Sequence, residues 1–229
     1  MRTNMTRKDY KTLAYVLKRT NYGEADRILN LITPEGKVAA IAKGVRKEKS
    51  KLAGGIEIFS LVELNLHVGR SEFAVVTGSR MKKYYSNLLK DYGRMELAGA
   101  ILKQTNRLAE HSDSPEYFKI VDRCLNELND GANENLVKSW FILNTLKVSG
   151  EEVNLYRDVN GERLSADARY DWDVGQEAFI THQSGLYGAD EIKMLRLMST
   201  ADLKTVQKVK SLDDLLTKIT DFVSVVSDN

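Results

Sequence analysis

Cysteine and proline are both scarce in this chain of 229 residues, which carries one cysteine, Cys124, and two prolines. A lone cysteine cannot close an intrachain disulfide or build a structural zinc site, and it fits a reducing compartment. So few prolines, with no low-complexity tract and no repeat of solenoid length, argue against a long disordered linker or a repeat array. The three histidines, His67, His111 and His182, stand too far apart in sequence to read as a metal cluster. No stretch approaches the roughly 20 apolar residues that a bilayer span needs, and the basic start, Met1 to Lys8, is not followed by the apolar core of a secretory leader. A cytoplasmic protein without a membrane partner is expected. Nucleotide and hydrolase signatures are missing as well: there is no G-x-x-x-x-G-K-[ST], no G-x-S-x-G and no H-E-x-x-H. The carboxylates of Asp171-Trp172-Asp173 and Asp213-Asp214 have no base or phosphate loop beside them. These absences lead us to expect no enzyme, no cofactor and no metal.

What the chain does have is an uneven charge. The formal net charge is only +2. Yet residues 1–90 hold 18 Lys and Arg against 8 Asp and Glu, and residues 91–229 hold 16 against 24. A basic first part and an acidic second part suggest two domains with different partners, the basic one suited to a polyanion. The imbalance peaks at Lys43-Gly44-Val45-Arg46-Lys47-Glu48-Lys49-Ser50-Lys51, five cations against one anion.

The first 80 residues read as short strands. Thr12 to Arg19 is rich in β-branched, aromatic and aliphatic residues and breaks at Asn21-Tyr22-Gly23. Residues 25–33 suit a strand or a short helix by periodicity alone. Thr33-Pro34-Glu35-Gly36-Lys37 is a turn signature, and Val38 to Ala42 reads as the returning strand of a hairpin. Ile56, Ile58, Val62, Leu64, Leu66 and Val68 alternate along a further strand over 56–68, and Glu72 to Thr77 supplies another. About five strands without an intervening helix predict a small, closed or nearly closed antiparallel barrel.

From residue 93 the period becomes helical. Leu97, Ala98, Ile101, Leu102, Thr105 and Leu108 mark one face. Ser114-Pro115-Glu116 opens a second helix presenting Phe118, Val121, Cys124, Leu125 and Leu128. Asn133 opens a third, carrying Leu136, Val137, Trp140, Phe141, Leu143 and Leu146 to Gly150. Residues 151–188 are polar and turn-rich. Ile192, Leu195, Leu197 and Met198 suggest another helix, and Ser211 to Asp214 starts a last one with Leu215, Leu216, Ile219, Phe222 and Val225. The expected architecture is α+β: a barrel over residues 1–82, then a helical bundle over 83–229 with an irregular, cysteine-free insertion at about 151–188.

The basic segment has two readings. It is either a solvated face, as single runs of Lys usually are, or a cationic loop that tracks a phosphate backbone off a small barrel. Lys18 and Arg19 near another strand end, and Arg80, Lys82 and Lys83 at the close of the barrel, favour the second. Tyr10, Tyr15, Tyr22, Phe59 and Phe73 suit base stacking, although core packing is the commoner fate of aromatics. Nothing in the segment reads base edges, so little sequence preference is expected. Cys124, on an apolar helix face, reads as a buried thiol.

Taken in order, Val16-Leu17-Lys18-Arg19-Thr20-Asn21-Tyr22-Gly23-Glu24-Ala25-Asp26, Leu31-Ile32-Thr33-Pro34-Glu35-Gly36-Lys37, Ala42-Lys43-Gly44-Val45-Arg46 and Ser50-Lys51-Leu52 resemble the N-terminal signature of the RecO recombination mediators. The match covers roughly residues 12–80. The resemblance implies an N-terminal OB-fold and a C-terminal helical domain in a bacterial, nucleoid-associated protein of DNA repair and homologous recombination. It also implies binding to single- and double-stranded DNA, annealing of complementary strands, and work with RecR that lets RecA displace single-strand binding protein. Many such proteins carry a four-cysteine zinc module. Here the equivalent stretch, 151–188, has no cysteine, and Tyr156, Tyr170, Trp172 and Phe179 are expected to hold it by packing instead.

The DNA-contacting residues expected on this reading are Lys43, Arg46, Lys47, Lys49 and Lys51, flanked by Lys18, Arg19, Arg70, Arg80, Lys82 and Lys83. The acidic helical part would contact protein, including the C-terminal tail of single-strand binding protein. Two other classes stay open: an RNA-binding barrel of the translation machinery, and an adaptor whose basic face meets an acidic protein.

Overall fold

Alternation of apolar and polar residues shapes the first five strands. The computed structural model describes residues 8–112 and 114–227, with β1 at Lys8–Tyr22, β2 at Asp26–Thr33, β3 at Gly36–Ala42, β4 at Ser60–Val68 and β5 at Ala74–Tyr84. Strand β1 pairs antiparallel with β2 and β4, β2 with β3, and β4 with β5. A parallel pairing of β3 with β5 then closes the barrel in the order β1-β2-β3-β5-β4. This is the five-stranded OB arrangement, and closure leaves no bare edge to template aggregation. Ala14, Val16, Leu29, Leu31, Ala40, Ala42, Val62, Leu64, Leu66 and Val76 fill its interior.

In β1 the alternation lapses, because Ala14, Tyr15, Val16 and Leu17 are all buried. Ala14 and Val16 point into the barrel, while Tyr15 lies against helix. Its ring meets Phe118 at 5.4 Å, and its hydroxyl bonds the Tyr85 hydroxyl at 2.7 Å and Asp122 Oδ1 at 2.6 Å. Burial above all pushes the Tyr15 phenol far above its ordinary pKa, so it stays a neutral donor.

The chain divides into two compact units, Met1–Asn129 and Asp130–Asn229. In the first, α1 (Tyr92–Leu108) and α2 (Glu116–Asn129) pack against the barrel. Asn30 donates to Asn106, Lys37 donates to the Asn106 carbonyl, and Lys83 donates to Asn126. Cys124 is fully buried on α2, and burial drives its thiol pKa upward, the reverse of what a nucleophile or metal ligand needs.

The second unit holds α3 (Glu134–Ser149), a two-stranded sheet of β6 (Tyr170–Asp173) and β7 (Ala178–Thr181), then α4 (Ala189–Thr200), α5 (Leu203–Val206) and α6 (Leu212–Ser227). Asn133 caps α3 by accepting from the N–H groups of Asn135 and Leu136. Tyr170, Trp172, Phe179, Tyr187 and Phe222 meet ring to ring, with centroids 5.1 to 6.1 Å apart. Most of these contacts are edge-on, the favoured aromatic geometry.

Several expectations change in detail. The strand expected from Ile56 begins at Ser60. Residues 53–55 form a 3-10 turn, Phe59 sits at φ 59°, and the Ser60 hydroxyl donates to the Glu57 carbonyl at 2.6 Å. Holding a bulky residue in that left-handed region costs about 1–2 kcal/mol, which the surrounding contacts must offset. Strand β5 runs seven residues beyond Thr77. The face of α6 is Leu212, Leu216, Ile219, Phe222 and Val223, whereas Val225 is 41% exposed. Tyr156 stays outside the aromatic cluster, 56% exposed, with the Arg196 guanidinium over its ring.

Candidate nucleic-acid interface

Two turns that lie 18 residues apart in sequence meet at one end of the barrel. The β1–β2 turn, residues 23–25, faces the start of the long loop between β3 and β4. Gly44 adopts φ +65°, a left-handed conformation that glycine tolerates, and its N–H donates to Asp26 Oδ1 at 2.7 Å. The Arg46 N–H donates to the Ala25 carbonyl at 2.9 Å, and its guanidinium reaches the Gly23 carbonyl at 3.4 Å. Between them Val45, 3% exposed, drops into the barrel core. A buried valine flanked by two backbone anchors fixes where Lys43 and Arg46 leave the surface, and both are exposed.

The loop then turns twice, through bonds from Lys47 N–H to Gly44 O at 3.1 Å and from Ser50 N–H to Lys47 O at 3.0 Å. The Lys47 stem lies over Gly44, 3.7 Å from where a Cβ would stand. At its far end the loop is pinned again, the Ser79 hydroxyl donating to the Leu52 carbonyl at 3.2 Å. That contact brings Lys51, which precedes Leu52, toward Arg80, which follows Ser79. Lys47, Lys49 and Lys51 are exposed, and none of the five loop cations forms an ion pair among the described residues. Their charge is therefore available to an external anion, and burial is too slight to oppose it.

The flanking cations are more varied. Arg80 stands opposite Glu63 on the outer face of β4 and β5. Glu63 pairs with Lys11 at 2.9 Å and with Lys82 at 3.3 Å. The hydrogen bond from Lys11 is the chief reason its carboxyl is held below the ordinary range, with Lys82 adding to it and desolvation opposing. Arg19 is tied to Glu57 at 2.8 Å, and the Lys83 ammonium lies 4.9 Å from the centre of the Tyr85 ring. Lys18 is exposed opposite Asn30, five residues or roughly 17 Å along β1 from the turn at Gly23. Arg70 is not gathered with the others. It stands two residues past the end of β4, which itself runs five residues, or about 17 Å, beyond Glu63.

Two residues outside the expected DNA contacts join this end of the barrel. Arg27 stands in register with Asn21 and with Ala42, directly before Lys43, and donates to Asn21 Oδ1 at 3.2 Å. Asp26 anchors the loop. Of the aromatics considered for stacking, Tyr15 is buried, Tyr10, Phe59 and Phe73 are half-buried, and Tyr22 is 55% exposed at the turn itself.

Among the described residues, no group of three or more His, Cys, Asp or Glu is placed to hold a metal ion. One buried thiol does not fit a four-cysteine zinc centre. Nor is any described helix long and apolar enough to cross a membrane.

Comparison with known proteins agrees with this architecture. The family model "Recombination protein O N terminal" matches residues 5–85, and "Recombination protein O C terminal" matches residues 89–225. A protein of Dehalococcoides mccartyi named DNA repair protein RecO is 29% identical over 220 residues, 92% of this chain and 86% of its own length. Its namesake in another strain of that species is 32% identical over 165 residues, 71% of this chain and 65% of its own. With both halves matched in order, the barrel by one model and the helices by the other, the chain belongs to the RecO family of DNA repair proteins.

Proposed function

We propose that this chain is a non-enzymatic recombination mediator that binds single- and double-stranded DNA through residues 1–82. The observation that carries the reading is the doubly pinned loop after β3, which presents Lys43, Arg46, Lys47, Lys49 and Lys51 without counter-charges of their own. Lys18, Arg19, Arg80, Lys82 and Lys83 widen the patch. Arg70 contributes separately, to duplex or to a trailing strand. Affinity comes mainly from counterion release, with little base preference.

Strand annealing follows from the same physics. Complementary strands repel through their phosphates, and a cationic surface that holds them lowers that repulsion while leaving base edges free to pair. In the cell, a cytoplasmic and nucleoid-associated place, the chain works with RecR so that RecA displaces single-strand binding protein. The helical part, residues 83–229, takes the protein contacts, the C-terminal tail of single-strand binding protein among them.

The test is annealing of complementary oligonucleotides coated with the cognate single-strand binding protein. Faster annealing than with the coated strands alone is expected. No acceleration, or a strong preference for single-stranded RNA over DNA of equal length, would sink the proposal in favour of a translation-type barrel.

A further inference from the structure

Residues 156–164, between α3 and β6, form a tight hairpin with an unusual charge arrangement. Asp158 N–H donates to the Glu162 carbonyl at 2.9 Å, and Leu164 N–H donates to the Tyr156 carbonyl at 3.0 Å. Arg157 and Arg163, bridged antiparallel between those bonds, are therefore a non-hydrogen-bonded pair. That position brings facing side chains closest together on one side of the ladder, where like charges repel. The turn is rigid. Gly161 sits at φ +78°, and the Asp158 carboxylate accepts from the N–H groups of both Asn160 and Glu162 at 2.9 Å. Val159 N–H donates to the Phe179 carbonyl at 2.9 Å, fastening the hairpin to the aromatic cluster.

Residues 130–229 hold 11 Lys and Arg against 17 Asp and Glu, so carboxylates are plentiful around this pair. Other cations of the unit use them: Lys147 pairs with Glu152, Lys193 with Asp190 and Lys218 with Glu191. Arg157 and Arg163 form no ion pair among the described residues, and both are exposed. The Arg157 guanidinium donates to the Gly161 carbonyl at 2.6 Å, which steers it without neutralising it. Asp158 is committed to the turn, and Glu162 alternates to the opposite side of the ladder. Two arginines set opposite each other on the backbone ladder, neither with an ion-pair partner among the described residues, offer two guanidinium forks to an anion that has several oxygens.

We propose that Arg157 and Arg163 form a second phosphodiester-binding site, which holds the partner strand while the barrel loop holds the first. The inference rests on the annealing reading above. Its test uses the full chain with Arg157→Gln plus Arg163→Gln, and separately with Arg163→Glu, on uncoated complementary oligonucleotides. Affinity for one single strand, read by fluorescence anisotropy, should stay within about twofold of the wild type, while annealing slows by about tenfold. Arg163→Glu should also raise the melting temperature, because it turns a repelling pair into an attracting one; that result separates lost function from lost fold. Wild-type annealing rates in both variants would overturn the site. So would a defect seen only on strands coated with single-strand binding protein, which would mark a contact to acidic protein instead. A wild-type chain that binds one strand yet anneals none would overturn the annealing reading, and this site with it.

Discussion

Asp26 is a carboxylate in the middle of a cationic surface, and its hydrogen bond to Gly44 decides how it acts there. If only charge mattered, removing it would tighten DNA binding, since one repulsive group is gone. If it positions the loop, removing it loosens the anchor that sets the exit of Lys43 and Arg46. We predict that Asp26→Ala weakens single-strand binding about three- to tenfold at fixed salt, through loss of preorganisation. Asp26→Asn, which keeps an acceptor for the Gly44 N–H, should bind at least as well as the wild type. Anisotropy titrations decide, and tighter binding by the alanine variant would refute the positioning role. Lys43, Arg46 and the family motif pieces around them are legible in the sequence because they are contiguous and conspicuous. The role of Asp26 is not, because its partner lies 18 residues away and a charge count can only subtract it. Arg27 escaped for the same reason: it becomes part of the surface only when the ladder sets it beside Ala42.

Two contacts between elements lend themselves to stability measurements. Tyr15 on β1 ties the barrel to α2 through Tyr85 and Asp122. Tyr15→Phe leaves both partners short of a bond in a buried setting and should cost about 1–3 kcal/mol of unfolding free energy. Urea melts would show it, while DNA affinity in the native range should not move. In the second unit, Glu191 on α4 accepts from Lys218 on α6 and from the Gly188 N–H. Burial pushes its carboxyl upward, yet those bonds outweigh burial and the net shift is downward. A depressed folded pKa stabilises fully above the unfolded value, near 4.3, and is lost as pH falls through the folded one. Stability should therefore fall below about pH 4.3, and fall less steeply in Glu191→Gln; an unchanged slope would count against the linkage. At this scale strands and long helices were readable because their periods are local. The turn at Glu57 to Ser60 was not, since Ile56 and Ile58 continue an alternation that the backbone abandons. Nor were the hydroxyl partners of Tyr15, which stand 70 and 107 residues away, although burial was the commoner fate to expect for its ring. Val225 was misassigned because a face sharing several apolar neighbours can be drawn a fraction of a turn off.

Across the whole molecule the charge is unevenly divided: a basic barrel, and an acidic helical unit whose exposed arginine pair runs against its surroundings. The aromatic cluster of Tyr170, Trp172, Phe179, Tyr187 and Phe222 gives residues 151–188 a packed core of rings, so chelators should leave the melting temperature unchanged. The class of fold and the basic surface were apparent from strand count, charge asymmetry and motif order. The membership of that core was only partly so, because Phe222 lies outside the stretch it completes, on α6. The central claim is that the loop at residues 43–51 neutralises phosphates. It is tested most directly by the salt dependence of single-stranded DNA affinity in the wild type and in Lys43→Ala plus Arg46→Ala plus Lys47→Ala. With three phosphate contacts removed, the slope of log K against log salt should become shallower by about two units, with clearly weaker binding at low salt. A folded triple variant that keeps wild-type affinity and slope would contradict it.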